Sequence, residues 1–486
     1  MSKSVFPMGF VIALLTSASA FAADLPSYKS APAFVPPPPA FSWTGLYLDA
    51  QGGYGGWNAN TSSPSASVNQ VNGGSGFLGR VGGGFDYQFS DRFVAGVLAD
   101  YSIGRQTGIV QTTPGGLALS GNTDQSWSWA AGGRLGYLFT PDLLAYGEAG
   151  FTQAHFTGAT LLDSTSAAFS GNGTPGLTAS GWFVGAGFET MFAPGWFFRT
   201  EYRYADYGAH TLADTGALGA LDSIRFHPVE QSITSGIVYK FGWPTFSAPG
   251  IPSFALLTDG FSPAPAQTNW TGFYANAGIG YGLWSANGAT ENPATGNCII
   301  CNTQRFGGRG VFGTVGAGYD YQLTNKFVGG VFGDYDPSNL RGTIQDQGFG
   351  LVGSISQQWA WGAGARLGYL VSPAVLTYTK AGFTQARFGG SNLDTFGGAG
   401  TGIFTPGFTA NGWFVGGGVE SEFAPGWFWR ADYRYAQYGS HEISELGAGA
   451  PASEIHFRPQ EQAATVGLVY KFNWAPSVPA PVVAKY

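Results

Sequence analysis

Almost every segment of this chain occurs twice. Trp43-Thr44-Gly45-Leu46-Tyr47 returns as Trp270-Thr271-Gly272-Phe273-Tyr274, and Ala193-Pro194-Gly195-Trp196-Phe197 returns as Ala424-Pro425-Gly426-Trp427-Phe428. Val238-Tyr239-Lys240-Phe241 returns as Val469-Tyr470-Lys471-Phe472. The offset stays at about 230 residues throughout, which marks a duplicated domain and not a short-period solenoid. Each copy has its own opening and closing segment, so each is expected to fold by itself.

Within a copy the residues alternate two by two. Phe77, Gly79, Val81, Gly83, Phe85, Tyr87 and Phe89 are apolar or small, while Arg80, Asp86 and Gln88 between them are polar. Trp127, Trp129, Ala131, Leu135, Tyr137 and Phe139 alternate with Ser126, Ser128 and Arg134 in the same way. Such runs predict eight strands in copy one, at 44–57, 76–89, 92–105, 123–139, 142–157, 178–192, 196–209 and 229–243. Tight turns at Ser90-Asp91, Thr140-Pro141 and Ala193-Pro194-Gly195 alternate with long Gly-, Ser-, Thr-, Asn- and Ala-rich connections near 58–75, 106–122, 158–177 and 210–228. Segregation of loop length by end is the habit of membrane barrels, with short turns on the inner side and long loops outside.

Composition narrows the solvent. Only 10% of the 486 residues are charged and 16% are aromatic, too few charges for an ordinary soluble surface and too many aromatics for disorder. No stretch of about 18 uncharged apolar residues follows the N-terminal region, so helices are not expected to span a membrane. Strands facing lipid in a closed barrel remain. The net charge of −7, without a basic stripe, gives nucleic-acid binding no electrostatic support.

The N-terminus reads as an export signal over residues 1–22. Lys3 supplies positive charge, Val11-Ile12-Ala13-Leu14-Leu15 an apolar stretch, and Ala20-Phe21-Ala22 a small-residue cleavage site, placing the cut between Ala22 and Ala23. The expected order is then a Pro-rich lead segment at 23–41, barrel one at 42–243, a Pro-rich linker at 244–268, barrel two at 269–474 and a Pro-rich tail at 475–486. The fold class is all-β, two tandem eight-stranded antiparallel transmembrane barrels. The alternative, one fused barrel of sixteen strands, has a permitted strand number. Against it stand the separate closing segments and a 25-residue linker far longer than the tight turns.

The opening W-T-G-[LF]-Y, the pairs Gly53-Tyr54-Gly55 and Gly280-Tyr281-Gly282, and the closing Y-K-F resemble the small Gram-negative outer-membrane surface-antigen barrels. These porin-family proteins include the immunogenic outer-membrane proteins and are similar in fold to the OmpA membrane domain. The resemblance covers about 200 residues twice. It implies residence in the outer membrane, with membrane lipid, lipopolysaccharide and the barrel-assembly machinery as partners. It also implies host or environmental ligands at the loops. One departure is that the family stops at a terminal Phe, whereas Phe472 here is followed by fourteen residues and Phe241 is internal.

The inward positions carry charge of both signs. Copy one places Asp49, Asp86, Asp100, Glu148, Glu189 and Glu201 against Arg80, Arg134, Arg199, Arg203 and Lys240. Copy two places Asp320, Asp334, Glu420 and Asp432 against Arg366, Lys380, Arg430, Arg434 and Lys471. Arg199-x-Glu201-x-Arg203 and Arg430-x-Asp432-x-Arg434 each put three charges on one strand face. An eight-stranded barrel is just wide enough for its side chains to fill it, and isolated buried ions are costly. Balanced sign therefore points to a cross-lumen ion-pair network; a selectivity lining would show rings of one sign. The expected role is structural and surface-exposed, with a porin passing small polar solutes as the alternative.

Weaker signals remain. Trp127, Trp129, Trp196, Phe198, Trp359, Trp361, Trp427 and Trp429 suit interfacial girdles better than a ligand-stacking site. Cys298 and Cys301 suit a loop disulfide; no second pair or helix start supports metal or redox chemistry. His155, His210, His227, His441 and His456 show no ligand spacing. No nucleophile elbow, P-loop or triad appears, so neither an enzyme nor a cofactor is expected.

Overall fold

The computed structural model describes residues 42–62, 70–112, 119–163, 169–216, 222–241, 269–451 and 453–472. The expected signal peptide with its Ala22–Ala23 cut, the lead segment, the linker and the tail lie outside the described residues. The described residues belong to one unit, Ser42–Tyr486.

Copy one forms β1 (Gly45–Ser62), β2 (Gln70–Gln88), β3 (Phe93–Thr112), β4 (Leu119–Thr140), β5 (Leu143–Phe156), β6 (Ala159–Asp163), β7 (Phe169–Thr174), β8 (Leu177–Ala193), β9 (Trp196–Asp206), β10 (His210–Gly216) and β11 (Asp222–Lys240). Copy two forms β12 (Gly272–Glu291), β13 (Cys298–Gln322), β14 (Phe327–Asp346), β15 (Leu351–Ser372), β16 (Val375–Phe388), β17 (Ser391–Thr395), β18 (Gly400–Thr405), β19 (Phe408–Ala424), β20 (Trp427–Tyr438), β21 (His441–Ser444) and β22 (Glu454–Phe472). No helix occurs among the described residues.

Antiparallel pairing runs β1-β2-β3-β4-β5-β8-β9-β11 and returns to β1, where Tyr47 faces Lys240. In copy two it runs β12-β13-β14-β15-β16-β19-β20-β22 and returns to β12, where Phe273 faces Phe472. The last long strand of each copy thus bonds to its own first strand, which rules out the fused sixteen-stranded ring.

The strands outrun the sequence reading at their long-loop ends. β1 continues to Ser62 and β3 to Thr112, and β6, β7, β10 and their counterparts β17, β18 and β21 form where irregular loops were expected. Ser-, Thr-, Asn- and Gly-rich segments read as loop by composition. Here they prolong ladders that the barrel has already registered, and that context overrides their weak strand preference.

Burial is inverted relative to a water-soluble fold. Along β1, Leu46 and Leu48 are 46% and 59% exposed while Tyr47 and Asp49 are buried. Phe77, Val81, Val97, Ile103 and Leu135 continue this exposed apolar belt, the face a barrel turns to lipid. Trp196, Phe198, Trp427 and Trp429 also face outward. Beyond the belt the lumen turns apolar: Trp57, Val110, Leu119, Phe156, Ile224 and Phe226 fill barrel one, and Trp284, Ile344, Leu351, Phe388, Ile455 and Phe457 fill barrel two.

The duplicated Trp-Thr-Gly has a structural reason. Trp43 is buried at the short-turn end, where its Nε1 donates to Pro141 O at 2.9 Å and its ring lies 4.8 Å from Phe197. Thr44 Oγ1 accepts from Gln88 N at 2.9 Å. Gly45 has φ +152°, and a Cβ there would lie 2.8 Å from Phe241 O. Trp270 repeats the arrangement, donating to Pro373 O at 2.9 Å.

The two rings touch at their long-strand ends. Asn58 Nδ2 donates to Gly308 O at 2.6 Å, Arg309 Nη1 to Asn58 O at 3.1 Å, and Thr343 Oγ1 to Val71 O at 3.0 Å. Below this contact their apolar outer walls line a cleft of about 2100 Å³.

Candidate functional site

The two-residue period that sends Leu46 and Leu48 to lipid sends the charged residues inward, where they lie in layers. Nearest the short turns in barrel one, Arg134 grips Asp86 through Nη2 at 2.5 Å and Nε at 2.8 Å, and reaches Glu189 through Nη1 at 2.5 Å. Arg199 holds Glu189 at 2.5 Å and Asp49 at 3.1 Å. Lys240 Nζ lies 2.5 Å from Asp86 and 3.2 Å from Glu189. The Tyr47 and Tyr146 rings lie 4.4 and 4.9 Å from the Arg134 guanidinium, and Trp43 lies 4.7 Å from Lys240 Nζ. Every charged group here is buried, and each finds an opposite charge.

Barrel two repeats this floor. Arg366 contacts Asp320 and Glu420 at 2.5 Å each, Arg430 contacts Glu420 at 2.7 Å, and Lys471 pairs with Asp320. Tyr274 and Tyr378 stand where Tyr47 and Tyr146 stood, 4.5 and 4.9 Å from the Arg366 guanidinium.

The next layer differs between copies. In barrel one Arg203 binds Asp100 through two nitrogens at 3.0 and 2.8 Å and contacts Glu148 at 3.0 Å and Glu201 at 3.1 Å. Arg80 Nη1 meets Glu201 at 2.6 Å, and Tyr146 donates to the other oxygen of Glu201 at 2.8 Å. In barrel two Lys380 meets Asp432 at 2.5 Å, Tyr378 donates to Asp432 at 2.6 Å, and Arg434 meets Asp336 at 2.5 Å. Asp334, grouped by sequence with the ion-paired residues, has no ion pair within 4.0 Å among the described residues; Asp336, one inward position further along β14, takes Arg434 instead. A cavity of about 30 Å³, room for roughly one water, lies among Asp334, Asp336, Lys380, Arg430, Asp432 and Arg434.

A third polar layer escaped the sequence reading. Glu230 accepts from Gln106 Nε2 at 3.0 Å, Gln125 Nε2 at 2.7 Å and Tyr207 Oη at 2.7 Å. Glu461 accepts from Gln357 Nε2 at 3.1 Å and Tyr438 Oη at 2.9 Å. The signal was present, since Glu230 shares inward parity with Lys240, and Asp336 with Asp334.

Outside the lumens, Cys298 is disulfide-bonded, and the side chain of Cys301 lies outside the described residues. The histidines have no ligand spacing in sequence, but the sheet brings His456 to 2.7 Å from Glu442 and 3.7 Å from Glu291.

Comparison with known proteins gives the chain its family. The 31 kDa outer-membrane immunogenic protein of Brucella melitensis is 30% identical over 238 residues, covering 47% of this chain and 97% of the relative. The 22 kDa outer membrane protein of Rhizobium leguminosarum bv. viciae is 31% identical over 209 residues, covering 42% of this chain and 82% of the relative. Among solved structures, OprG from Pseudomonas aeruginosa aligns at 15% identity and TM-score 0.31, covering 41% of this chain and 97% of its own. The sequence matches the family described as outer membrane protein beta-barrel domain over residues 9–241 and again over 253–472. The chain therefore belongs to the outer-membrane β-barrel family, with the domain present twice.

Proposed function

We propose that this outer-membrane protein is structural and surface-exposed, has no enzymatic activity, and keeps each lumen shut with its ion-pair network. The floor of buried charges carries this reading. Asp86, Glu189, Arg134, Arg199 and Lys240 meet across barrel one, and their counterparts meet across barrel two, each within reach of an opposite charge. Removing one partner of such a group strands a buried charge at a cost of about 3–5 kcal/mol, so the network favours a filled cross-section over a wet one. The apolar side chains stacked above the charges add a second obstruction. Lipid and lipopolysaccharide would contact the belt, the assembly machinery would receive the strands, and the long-strand ends would meet host or environmental surfaces.

The test is single-channel recording of the refolded full chain in planar bilayers. Silence or rare small openings are expected from the wild type, with more frequent openings from the double variant Arg134→Ala/Arg366→Ala. Stable, large conductance steps from the wild type would overturn the closed-lumen reading in favour of a porin for small polar solutes.

A further inference from the structure

We propose that Glu291, Glu442 and His456 form a zinc-class metal site on the water-exposed outer wall of the second barrel. The three residues come from adjacent strands: His456 on β22 faces Glu442 on β21, and Glu291 ends β12, the other neighbour of β22. Their inward neighbours Thr290, Ile443 and Ile455 are buried, so the three side chains project outward. His456 Nδ1 lies 2.7 Å from Glu442 Oε1 and 3.7 Å from Glu291 Oε1, and one ligand atom from each residue falls within 4.8 Å of the others.

One imidazole and two carboxylates are ligands that zinc accepts, at about 2.0–2.2 Å. A tetrahedral ion with those bonds spaces its ligand atoms about 3.4 Å apart, a separation bracketed by the 2.7 and 3.7 Å measured here. Side-chain exposures of 25% for Glu291, 40% for Glu442 and 26% for His456 leave a path for a hydrated cation. They also leave the fourth position to water.

The first barrel lacks the set. Its register pairs His210 with Phe226 as the second pairs His441 with Phe457, which aligns Thr211 with Glu442 and Arg225 with His456. A hydroxyl and a guanidinium stand where the carboxylate and imidazole would be, and a fixed positive charge repels a cation. The site therefore belongs to copy two alone. Bound metal would join three neighbouring strands at the rim, where β21 is only four residues long.

The competing account is a protonated imidazole held between two carboxylates with no metal, and titration separates the two. The refolded full chain, stripped with chelator, is titrated with zinc chloride by calorimetry at pH 7.5, alongside His456→Ala, Glu442→Gln and His227→Ala. One dominant site per chain is expected, weakened at least tenfold by His456→Ala, several-fold by Glu442→Gln and not at all by His227→Ala. Zinc should also slow hydrogen exchange across 441–456 in the wild type but not in His456→Ala. Equal zinc affinity in wild type and His456→Ala, or no binding at millimolar zinc, would overturn the proposal. Unchanged heat-modifiable gel mobility of the His456→Ala variant shows that its barrels are intact.

Discussion

The two barrels share one floor and differ one layer up. Near the short turns Asp86, Arg134, Glu189, Arg199 and Lys240 correspond in position and mutual pairing to Asp320, Arg366, Glu420, Arg430 and Lys471. The one departure is Asp49, a second partner of Arg199, where copy two carries Asn276. Above them the cation facing the central acid has changed sides. Glu201 takes Arg80 from β2, but Asp432 takes Lys380 from β16, where copy one carries Glu148; Thr314 fills the place of Arg80. Pairing is maintained while the identity of the pair drifts. In the floor Asp86, Glu189, Asp320 and Glu420 each serve at least two cations, so a single change there strands several charges at once. In the middle layer of barrel two the pairs are one to one, Lys380 with Asp432 and Arg434 with Asp336, whereas Arg203 in barrel one spans three carboxylates. A cation has crossed the lumen where copy two lost the acid Glu148.

Deleting the shared hub should have the greatest effect. Glu189→Ala and Glu420→Ala should each destabilise their own barrel by about 3–5 kcal/mol, because each leaves two arginines and a lysine short of a partner. Urea unfolding of the full chain in micelles, followed by peptide-resolved hydrogen exchange, reads each barrel separately. Losses under about 1 kcal/mol would mean that water already solvates these charges.

Next in size is the swapped cation. Lys380→Ala leaves Asp432 with Tyr378 alone, whereas Arg80→Ala leaves Glu201 still bound to Arg203, so the first should cost about twice the second. Adding Thr314→Arg to Lys380→Ala should recover part of the loss in the same assay. No recovery would show that the lumen of copy two cannot accept copy one's arrangement. Smaller again, Trp43→Phe and Trp270→Phe each delete one indole hydrogen bond and should cost about 1 kcal/mol, equally in the two barrels.

The smallest effect lies at the rim and in copy two only. Burial, and then the charge of Asp346, push the Glu445 carboxyl up to about 8. Ser453 Oγ lies within 3.0 Å of both acids. A carboxyl whose proton is held more tightly in the folded state stabilises below its unfolded value near 4.5 and loses that contribution as pH rises through about 8. Hydrogen-exchange protection across 441–451, taken relative to the intrinsic exchange rate at each pH, should therefore fall between pH 5 and 8.5, and Glu445→Gln should flatten the profile. In copy one the matching Asp214 accepts from Asn172 at 2.9 Å. Its rim serves as the internal control.

The repeat, the alternation and the sign of the inward residues were readable from the chain, because a period of two and a second copy are properties of order alone. Partner choice was not. Asp334 and Asp336 share a face, and only side-chain reach across the lumen decides that Arg434 binds Asp336. Trp57 shares the inward parity of Tyr47 but falls at the end of the segment where strand composition gave out, so the apolar filling above the charges went unread. Glu291 and His456 stand far apart in sequence and meet only because β22 bonds back to β12. Ring closure is a long-range event that no local pattern records.

Tyr47 faces Lys240 and Phe273 faces Phe472, so each domain starts and finishes on one shared pair of strands. A module built this way can be multiplied by gene duplication without any rethreading, because a new copy needs only a tether on the side where its ends already meet. The same geometry makes each ring a candidate for circular permutation: joining its ends and cutting a tight turn such as Ser90-Asp91 keeps every strand neighbour in place.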